Sequence, residues 1–278
     1  MGKFSGMLLL TDYDNTLHFT AETLRTGGPL PPIHPRNIEA IRRWMAEGGA
    51  FSVATGRALA AFRRQAEQVP VNAPVIVDNG GGIYDLAAER YLVKNFLGPG
   101  ALDDIAGVLE QFPGISLELY YDGGPVQVMR ETDWNRQHAM LTGLAYETVD
   151  RLKPRQEDLV KALLVAEKDS LEQARAYMED RGFREKYEMI FSSSHLLELT
   201  AKGADKGAMA LRLKELCGCK KLFCAGDHAN DLPMLRAADR AFAPANAIAE
   251  VLGSGATVVC HCLQGAIADA VEILEREG

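Results

Sequence analysis

The sequence predicts an α/β fold, a doubly wound parallel sheet that carries an inserted α+β domain. Near both ends of the chain, short apolar segments of strand length alternate with amphipathic segments of helix length. The crossovers of such a βαβ series require a parallel sheet that is covered by helices on both faces. In the middle of the chain the pattern changes to hairpin-like segments, which indicates a separate domain.

The first region of the chain begins the parallel sheet. Its predicted elements, in order, are an apolar strand that begins near Leu8 and leads to Asp12, a loop at 27–32, a helix that ends at Gly48, a strand at 50–54, a helix at 58–69 and a strand at 74–77. The glycines at 80–82 follow the last strand and favour a turn or a hinge. We therefore expect the inserted domain to begin just after them.

The inserted domain is predicted at 84–195, and the core is predicted at 1–83 and 196–278. The predicted elements of the insertion are helices at 101–111 and 170–180 and strands at 115–121, 126–130, 159–165 and 188–191. The core elements predicted after it are a strand at 196–200, a helix from Asp205, a strand at 221–225, a further helix, a short strand at 240–243 and a helix from Gln264.

The composition restricts the classes of partner. The chain has 278 residues, a formal net charge of -8 and a pI near 5.4. This acidic balance argues against a nucleic-acid or membrane-surface protein, because both need a basic face. No apolar run approaches the roughly 18 residues of a membrane span, and no secretory segment is recognisable. Five cysteines without a disulfide spacing favour a reducing compartment, so we expect the cytoplasm.

Asp12 and Asp14 follow the first apolar strand and are separated by one residue. Ligands of open α/β sheets bind beyond the carboxyl ends of the strands, and buried carboxylates require something that binds their charge. The pair therefore predicts a site that holds a divalent cation and attacks an electrophile. The alternative from this segment alone is a turn in which Asp14 and Asn15 cap backbone groups.

Two other segments offer donors to an anion. Thr55 and Gly56 end the second strand with a hydroxyl group and exposed backbone N–H groups, although Thr55 also suits an N-cap. Lys206 falls in the first turn of a helix, where the helix dipole disfavours a cation unless a negative group lies nearby. A phosphoryl group would supply that charge, and a solvated surface lysine is the alternative.

The segment after the strand at 221–225 contains Asp227, Asn230 and Asp231. Asp231 or Asn230 suits the N-cap of the helix that includes Pro233. Asp227 lies too far before this helix in the chain to be its N-cap, so a metal-ligand role is more natural. An oxygen-only set of Asp12, Asp14 and Asp227 suits Mg2+ rather than zinc.

These segments together resemble, in order, the four motifs of the haloacid dehalogenase (HAD) superfamily. The resemblance rests on Asp12 to Thr16, Thr55, Lys206 and the segment 226–231. The insertion is similar to the C2B cap of the Cof-type, class IIB sugar-phosphatase branch, and Lys161 and Glu198 also fit that branch. The resemblance spans nearly the whole chain and implies a HAD-like Rossmannoid core with a cap domain.

The resemblance also implies roles for the motif residues. Asp12 would be the nucleophile that forms an aspartyl-phosphate, and Asp14 would be the general acid and base. Mg2+ would be bound by Asp12, by Asp14 through its backbone carbonyl, and by Asp227. The phosphoryl group would be held by Thr55, Gly56, Lys206 and Asn230, and Asp231 would support the metal waters or Lys206.

The implied enzyme is a HAD-type phosphoric monoester hydrolase, a Mg2+-dependent phosphatase of small phosphorylated metabolites such as sugar phosphates. Two alternatives stay open. A phosphomutase would use the same aspartate pair, and a regulatory protein would bind a phosphorylated ligand with little turnover. Arg57 either contacts the substrate or pairs with an acid. The sequence does not predict the oligomeric state or which phosphate ester is the partner.

Overall fold

The computed structural model describes residues 2–21, 31–152 and 158–277. Residues 27–30 of the predicted loop lie outside the described residues. Within the described part, the chain forms two compact units, one made of Met1–Val93 and Lys206–Gly278 and the other of Lys94–Asp205. No helix in these ranges has both the length and the apolar character needed to cross a bilayer.

The strands and helices are numbered in chain order. The strands are β1 (Met7–Asp12), β2 (Ala50–Ala54), β3 (Val75–Val77), β4 (Gly82–Asp85), β5 (Arg90–Lys94), β6 (Ser116–Tyr121), β7 (Val126–Met129), β8 (Tyr146–Thr148), β9 (Leu159–Val165), β10 (Tyr187–Ser193), β11 (Leu196–Ala201), β12 (Lys221–Ala225), β13 (Arg240–Pro244) and β14 (Thr257–Val259). The helices are α1 (Pro35–Ala46), α2 (Leu59–Ala66), α3 (Ala101–Gln111), α4 (Asp133–Thr142), α5 (Lys168–Glu179), α6 (Phe183–Lys186), α7 (Lys206–Leu216), α8 (Leu232–Ala237), α9 (Ala249–Leu252) and α10 (Ala266–Glu277).

The first unit contains the predicted doubly wound sheet. Its strand order is β14-β13-β12-β1-β2-β3-β4-β5. β1 pairs in parallel with β2 on one side and with β12 on the other. The chain builds outward from β1 to β3 and later from β12 to β14, so the strand order reverses between β1 and β12. This boundary is a topological switch point, where ligands of such sheets bind.

Alternating residues of β1 enter cores on opposite faces of this sheet. Leu9 packs in one core with residues of α1 and α10, such as Trp44 and Val271. Leu8 and Leu10 pack in the other core, which residues of α7 and α8 complete. A strand that is buried on both faces needs apolar residues at successive positions, which explains the continuous apolar run.

The second unit contains a six-stranded sheet in the order β10-β11-β9-β6-β7-β8. β6 and β7 form the predicted hairpin pair, and β6 also pairs antiparallel with β9. Leu117 and Leu164 contribute to a core that includes Ile105 of α3 and Leu171 of α5. The α+β character expected of the insertion is therefore present in this unit.

The boundaries of the two units differ from the predicted ones. β4 pairs antiparallel with β3 and β5 lies beside β4, so both strands extend the first sheet past residue 83. β11 was expected in the core, but it pairs antiparallel with β9 and β10 of the second sheet. The second unit thus spans 94–205 rather than 84–195. The glycines at 80–82 lie inside the first unit.

Candidate active site

The end of β1 carries Asp12, whose side chain is buried. Asp12 Oδ1 accepts a hydrogen bond from Lys206 Nζ at 2.5 Å. The chain then turns sharply, and Asn15 adopts a φ of 61°, in the left-handed region that Asn tolerates better than most residues. Burial raises the pKa of Asp12 well above its usual range, although the ammonium group of Lys206 opposes this effect.

Lys206 begins α7 and is fully buried. Its Nζ donates to Asp12 Oδ1 and, at 2.6 Å, to Asp231 Oδ1. Burial by itself would lower the pKa of Lys206, but the two carboxylates raise it above its usual value, so the group is charged. The negative charge beside this cation comes from two carboxylates of the chain itself, and the alternative of a solvated surface lysine is wrong. Lys202, by contrast, is half exposed and pairs with Glu188.

Asp231 fixes the loop that follows β12. Its Oδ2 accepts hydrogen bonds from the backbone N–H groups of Asp227 at 2.9 Å and His228 at 3.0 Å. The loop passes so close to this side chain that a Cβ on Gly226 would lie 2.4 Å from Asp231 Cβ. Only glycine fits at this position. Asp227 Oδ1 in turn accepts a hydrogen bond from Thr16 Oγ1 at 2.7 Å, which joins the loops after β12 and β1.

Asp12, Asp227 and Asp231 form a buried carboxylate cluster in which one oxygen of each lies within 4.8 Å of the others. Burial, and then the charge of Asp231, raise the pKa of Asp227 to about 7. Among the described residues, Lys206 is the cation bonded to this cluster, so the three carboxylates, when ionised, carry more negative charge than Lys206 compensates. An oxygen-only, negatively charged donor set fits a hard divalent cation such as Mg2+. The residues present therefore fit the metal that the sequence implied.

The side chain of Asp14 lies outside this carboxylate cluster. Arg57 binds it through two hydrogen bonds, from Nε to Oδ2 at 2.9 Å and from Nη2 to Oδ1 at 2.7 Å. Burial would raise the pKa of Asp14, but the guanidinium group of Arg57 holds it below its usual range. Of the two roles left open for Arg57, the structure contains the pairing with an acid. The metal ligand expected from Asp14 was its backbone carbonyl, not this carboxylate.

Thr55 and Gly56 follow β2, which is the neighbour of β1 in the sheet. The register pairs Asp12 with Ala54, so both strands deliver their polar residues to the same edge. Thr55 is fully buried, and its Oγ1 accepts a hydrogen bond from the backbone N–H of Arg57 at 3.1 Å. Thr55 is not the residue before a helix, because α2 begins at Leu59.

Asn230 is bonded to Asn79, a residue that the sequence analysis did not predict as part of the site. Its Nδ2 donates to Oδ1 of Asn79 at 2.9 Å, and Asn79 follows β3 after one intervening residue, Asp78. The signal in the sequence was the same as for the other site residues, a polar side chain just beyond a buried strand. This signal did not distinguish Asn79, because the glycines at 80–82 make the segment resemble a plain turn.

The fold and the geometry together define an α/β enzyme with an acidic centre at the switch point of its sheet. The chain belongs to the family of haloacid dehalogenase-like hydrolases, whose family model matches residues 10–271. The resemblance predicted from the motifs is thereby confirmed. The predicted class of enzyme, a HAD-type phosphoric monoester hydrolase, is also confirmed.

Two relatives from Bacillus subtilis (strain 168) are phosphatases by name. The putative phosphatase YxeH is 25% identical over 228 residues, which cover 77% of this chain and 81% of YxeH. The 5-amino-6-(5-phospho-D-ribitylamino)uracil phosphatase YwtE is 25% identical over 246 residues, which cover 79% and 84% of the two chains.

The fold is also similar to that of solved structures. A haloacid dehalogenase-like hydrolase from Bacteroides thetaiotaomicron superposes with a TM-score of 0.78 at 21% sequence identity. The superposition covers 98% of this chain and 100% of that one. Both the parallel core sheet and the inserted unit therefore belong to a known architecture, as the sequence predicted.

Proposed function

We propose that this protein is a Mg2+-dependent phosphatase that hydrolyses small phosphorylated metabolites, foremost sugar phosphates, through an aspartyl-phosphate. One observation carries this proposal. The carboxylate of Asp12 lies in a buried acidic cluster and is bonded to a buried lysine. This combination supplies a nucleophile, a cation for the phosphoryl charge and ligands for a hard metal ion.

The metal would be held by the carboxylates of Asp12 and Asp227 and by the backbone carbonyl of Asp14. Mg2+, when bound, neutralises part of the negative charge, so that an anionic carboxylate can approach an anionic phosphate. Thr16 orients Asp227 through its hydroxyl group. Asp231 keeps the loop that carries Asp227 in place through two backbone hydrogen bonds.

Asp12 attacks phosphorus through Oδ2, which has no hydrogen-bond partner among the described residues, while Oδ1 is held by Lys206. The new bond joins Oδ2 to phosphorus as the bond from phosphorus to the leaving oxygen breaks. To protonate that oxygen, Asp14 must first leave Arg57 and take up a proton from solvent, because the pair with Arg57 favours its ionised form. Water then attacks the phosphorus of the aspartyl-phosphate, and Asp14 takes the proton of the water. Arg57 stabilises the ionised form of Asp14 that this second step requires.

The phosphoryl oxygens would be held by donors from two loops and from the start of α7. These donors are the hydroxyl group of Thr55, the backbone N–H of Gly56, Nζ of Lys206 and the side-chain amide of Asn230. Asp231 keeps Lys206 in place, since it accepts a hydrogen bond from Nζ at 2.6 Å. Donors of this kind lower the barrier if they are already oriented toward the charge that develops at the phosphoryl group.

The substrate class is supported by the Cof-type resemblance and by the phosphorylated ribityl compound in the name of YwtE. In this proposal the second unit, Lys94–Asp205, is the C2B-type cap that sets substrate preference. The partner is a small phosphate ester, and the expected location is the cytoplasm.

The proposal is tested with a panel of phosphate esters that includes sugar phosphates, assayed for released phosphate with Mg2+ and with EDTA. We expect the wild type to turn over in Mg2+ but not in EDTA, and we expect Asp12→Asn to lose turnover in Mg2+. Asp103→Asn is a matched control, because Asp103 is exposed on α3. Turnover by Asp12→Asn near the wild-type rate would contradict the proposal. Isomerised sugar phosphate without released phosphate would indicate a phosphomutase instead.

A further inference from the structure

We infer that Asn79 is a positioning residue of the phosphate site, which acts by fixing the side-chain amide of Asn230. The inference rests on the proposed function, because it assigns Asn230 to the bound phosphoryl group. Asn79 would not contact the substrate itself. It would determine which atoms of Asn230 face the substrate.

Asn79 occupies a conformation that its neighbours must maintain. It follows β3 with a φ of 54° and a ψ of 28°, and the preceding Asp78 also has a φ of 54°. Two successive residues other than glycine in the left-handed region are unusual, since side chains disfavour this region. Strained backbone of this kind persists where the surrounding structure holds it, and it is concentrated at functional sites.

The backbone of this turn holds the loop that contains Thr55. The N–H of Asn79 donates to the carbonyl oxygen of Thr55, and the N–H of Asp78 donates to that of Arg57, both at 3.0 Å. The turn after β3 and the loop after β2 are therefore one hydrogen-bonded unit. These backbone bonds therefore fix the position from which the side chain of Asn79 extends.

The amide group of Asn79 is enclosed between the loops after β2 and β12. A Cβ on Gly56 would lie 2.8 Å from Asn79 Nδ2, so the amide packs directly on that glycine. On its other side, Asn79 Oδ1 accepts the hydrogen bond from Asn230 Nδ2. Asn79 Nδ2 itself is fully buried and has no hydrogen-bond partner among the described residues.

The contacts of Asn79 indicate how it acts. Its Nδ2 is sealed from solvent, and the side-chain contact that the structure shows is the one from Oδ1 to Asn230, so Asn79 is assigned to Asn230 rather than to the substrate. An unpaired buried N–H group is unfavourable, and so is the left-handed backbone. A role for Oδ1 accounts for both unfavourable features, because the strained backbone and the enclosed amide hold Oδ1 where it can bind Asn230. As an acceptor, Oδ1 binds one N–H of the Asn230 amide and fixes its orientation, so the second N–H is presented to an anion.

The test uses Asn79→Gly, which removes the amide and tolerates the positive φ. The protein is assayed with Mg2+ on p-nitrophenyl phosphate, and binding of inorganic phosphate is measured by calorimetry. We expect kcat/KM to fall about 10-fold and phosphate affinity to fall several-fold, while Mg2+ affinity stays unchanged. Asn72→Gly is the matched control, because Asn72 bonds Phe51 and Gly49 near the start of β2. It should lower the melting temperature without lowering kcat/KM.

A double-mutant cycle with Asn230→Ala gives the decisive result. If Asn79 acts through Asn230, Asn79→Gly should have less than about a 2-fold effect on kcat/KM in the Asn230→Ala background. Effects that multiply, or a wild-type kcat/KM in Asn79→Gly, would overturn the inference and leave the proposed function intact. A wild-type protein that neither hydrolyses phosphate esters nor binds phosphate would remove the proposed function, and the inference with it.

Discussion

At the residue scale, the site depends on how buried charges compensate one another. Lys206 is fully buried and bonds two carboxylates, and the third carboxylate of the cluster, Asp227, accepts only a hydroxyl hydrogen bond among the described residues. Without a metal ion, the ionised form of Asp227 is therefore poorly compensated. Its raised pKa is a direct consequence of this arrangement.

Asp227→Asn should stabilise the metal-free protein at alkaline pH. The pKa of Asp227 is about 7 in the folded protein and about 3.9 for an unperturbed Asp, so wild-type stability should fall as pH rises between these values. In EDTA at pH 8, urea unfolding should show the variant to be more stable by roughly 2 kcal/mol, with little difference near pH 4. With saturating Mg2+ the order should reverse, because only the wild type gains the full binding energy. A less stable variant in EDTA at pH 8 would contradict this account.

A second buried acid, Glu118 of the second unit, should show the opposite dependence on pH. Glu118 accepts hydrogen bonds from Tyr120, Asn135 and His138, at 2.6, 2.9 and 2.9 Å. Burial would raise its pKa, but these partners, His138 foremost, lower it below its usual value. The carboxylate therefore stabilises the fold above pH of about 4.3, and this contribution is lost as pH falls through the folded pKa.

Glu118→Gln should cost about 2 kcal/mol of unfolding free energy at pH 7, since an amide cannot accept all of these hydrogen bonds. Urea unfolding at pH 3.5 should show a clearly smaller cost. Glu110→Gln on the exposed side of α3 is the control and should be close to neutral at both pH values. An equal cost for Glu118→Gln at pH 7 and pH 3.5 would refute the pH argument.

At the scale of elements, the ends of the core strands bring the site together. β1, β2, β3 and β12 run parallel and neighbour one another, so the residues that follow them meet at one edge of the sheet. Helix α7 contributes Lys206 to the site. The position of this helix depends on its close packing against α8. A Cβ on Gly207 would lie 2.6 Å from the backbone carbon of Pro233.

Gly207→Ala should therefore destabilise the protein by about 1–3 kcal/mol and lower turnover, because α7 must move away from α8 and carries Lys206 with it. The matched control is Gly107→Ala in α3, where an added Cβ meets nothing within 4 Å. That change should stabilise by about 0.5–1 kcal/mol, because alanine favours a helix. Thermal unfolding and phosphate release measure both effects. The same stability for the two variants would count against the packing argument.

At the scale of the whole molecule, local patterns predicted the elements better than they predicted the domains. β2 and β9 are observed at the predicted residues, since apolar segments of strand length are a local property. The choice of sheet for β11 is not local. Its residues suit either sheet, and its antiparallel pairing with β9 decides the matter. β4 and β5 were missed because the glycines before them masked a short hairpin that continues the core sheet.

The candidate site shows the same division between local and non-local information. Asp12, Lys206 and Asp227 were recognisable because each lies at or just past the end of a strand, or begins a helix, in a distinct motif. The bidentate pair of Arg57 with Asp14 and the contact of Asn79 with Asn230 were not predictable, because each depends on the approach of two loops. Side-chain partners across loops require the three-dimensional arrangement.

The most direct test of the central claim is to locate the phosphoryl group on the enzyme during turnover. Asp14→Asn protein, in which release of the intermediate is slowed, is mixed with a phosphate ester and Mg2+, quenched in acid and digested for mass spectrometry. The account predicts one phosphoryl group on the peptide that contains Asp12, and its absence in Asp12→Asn. Turnover with no phosphoryl group on the enzyme, or with one on another residue, would contradict it.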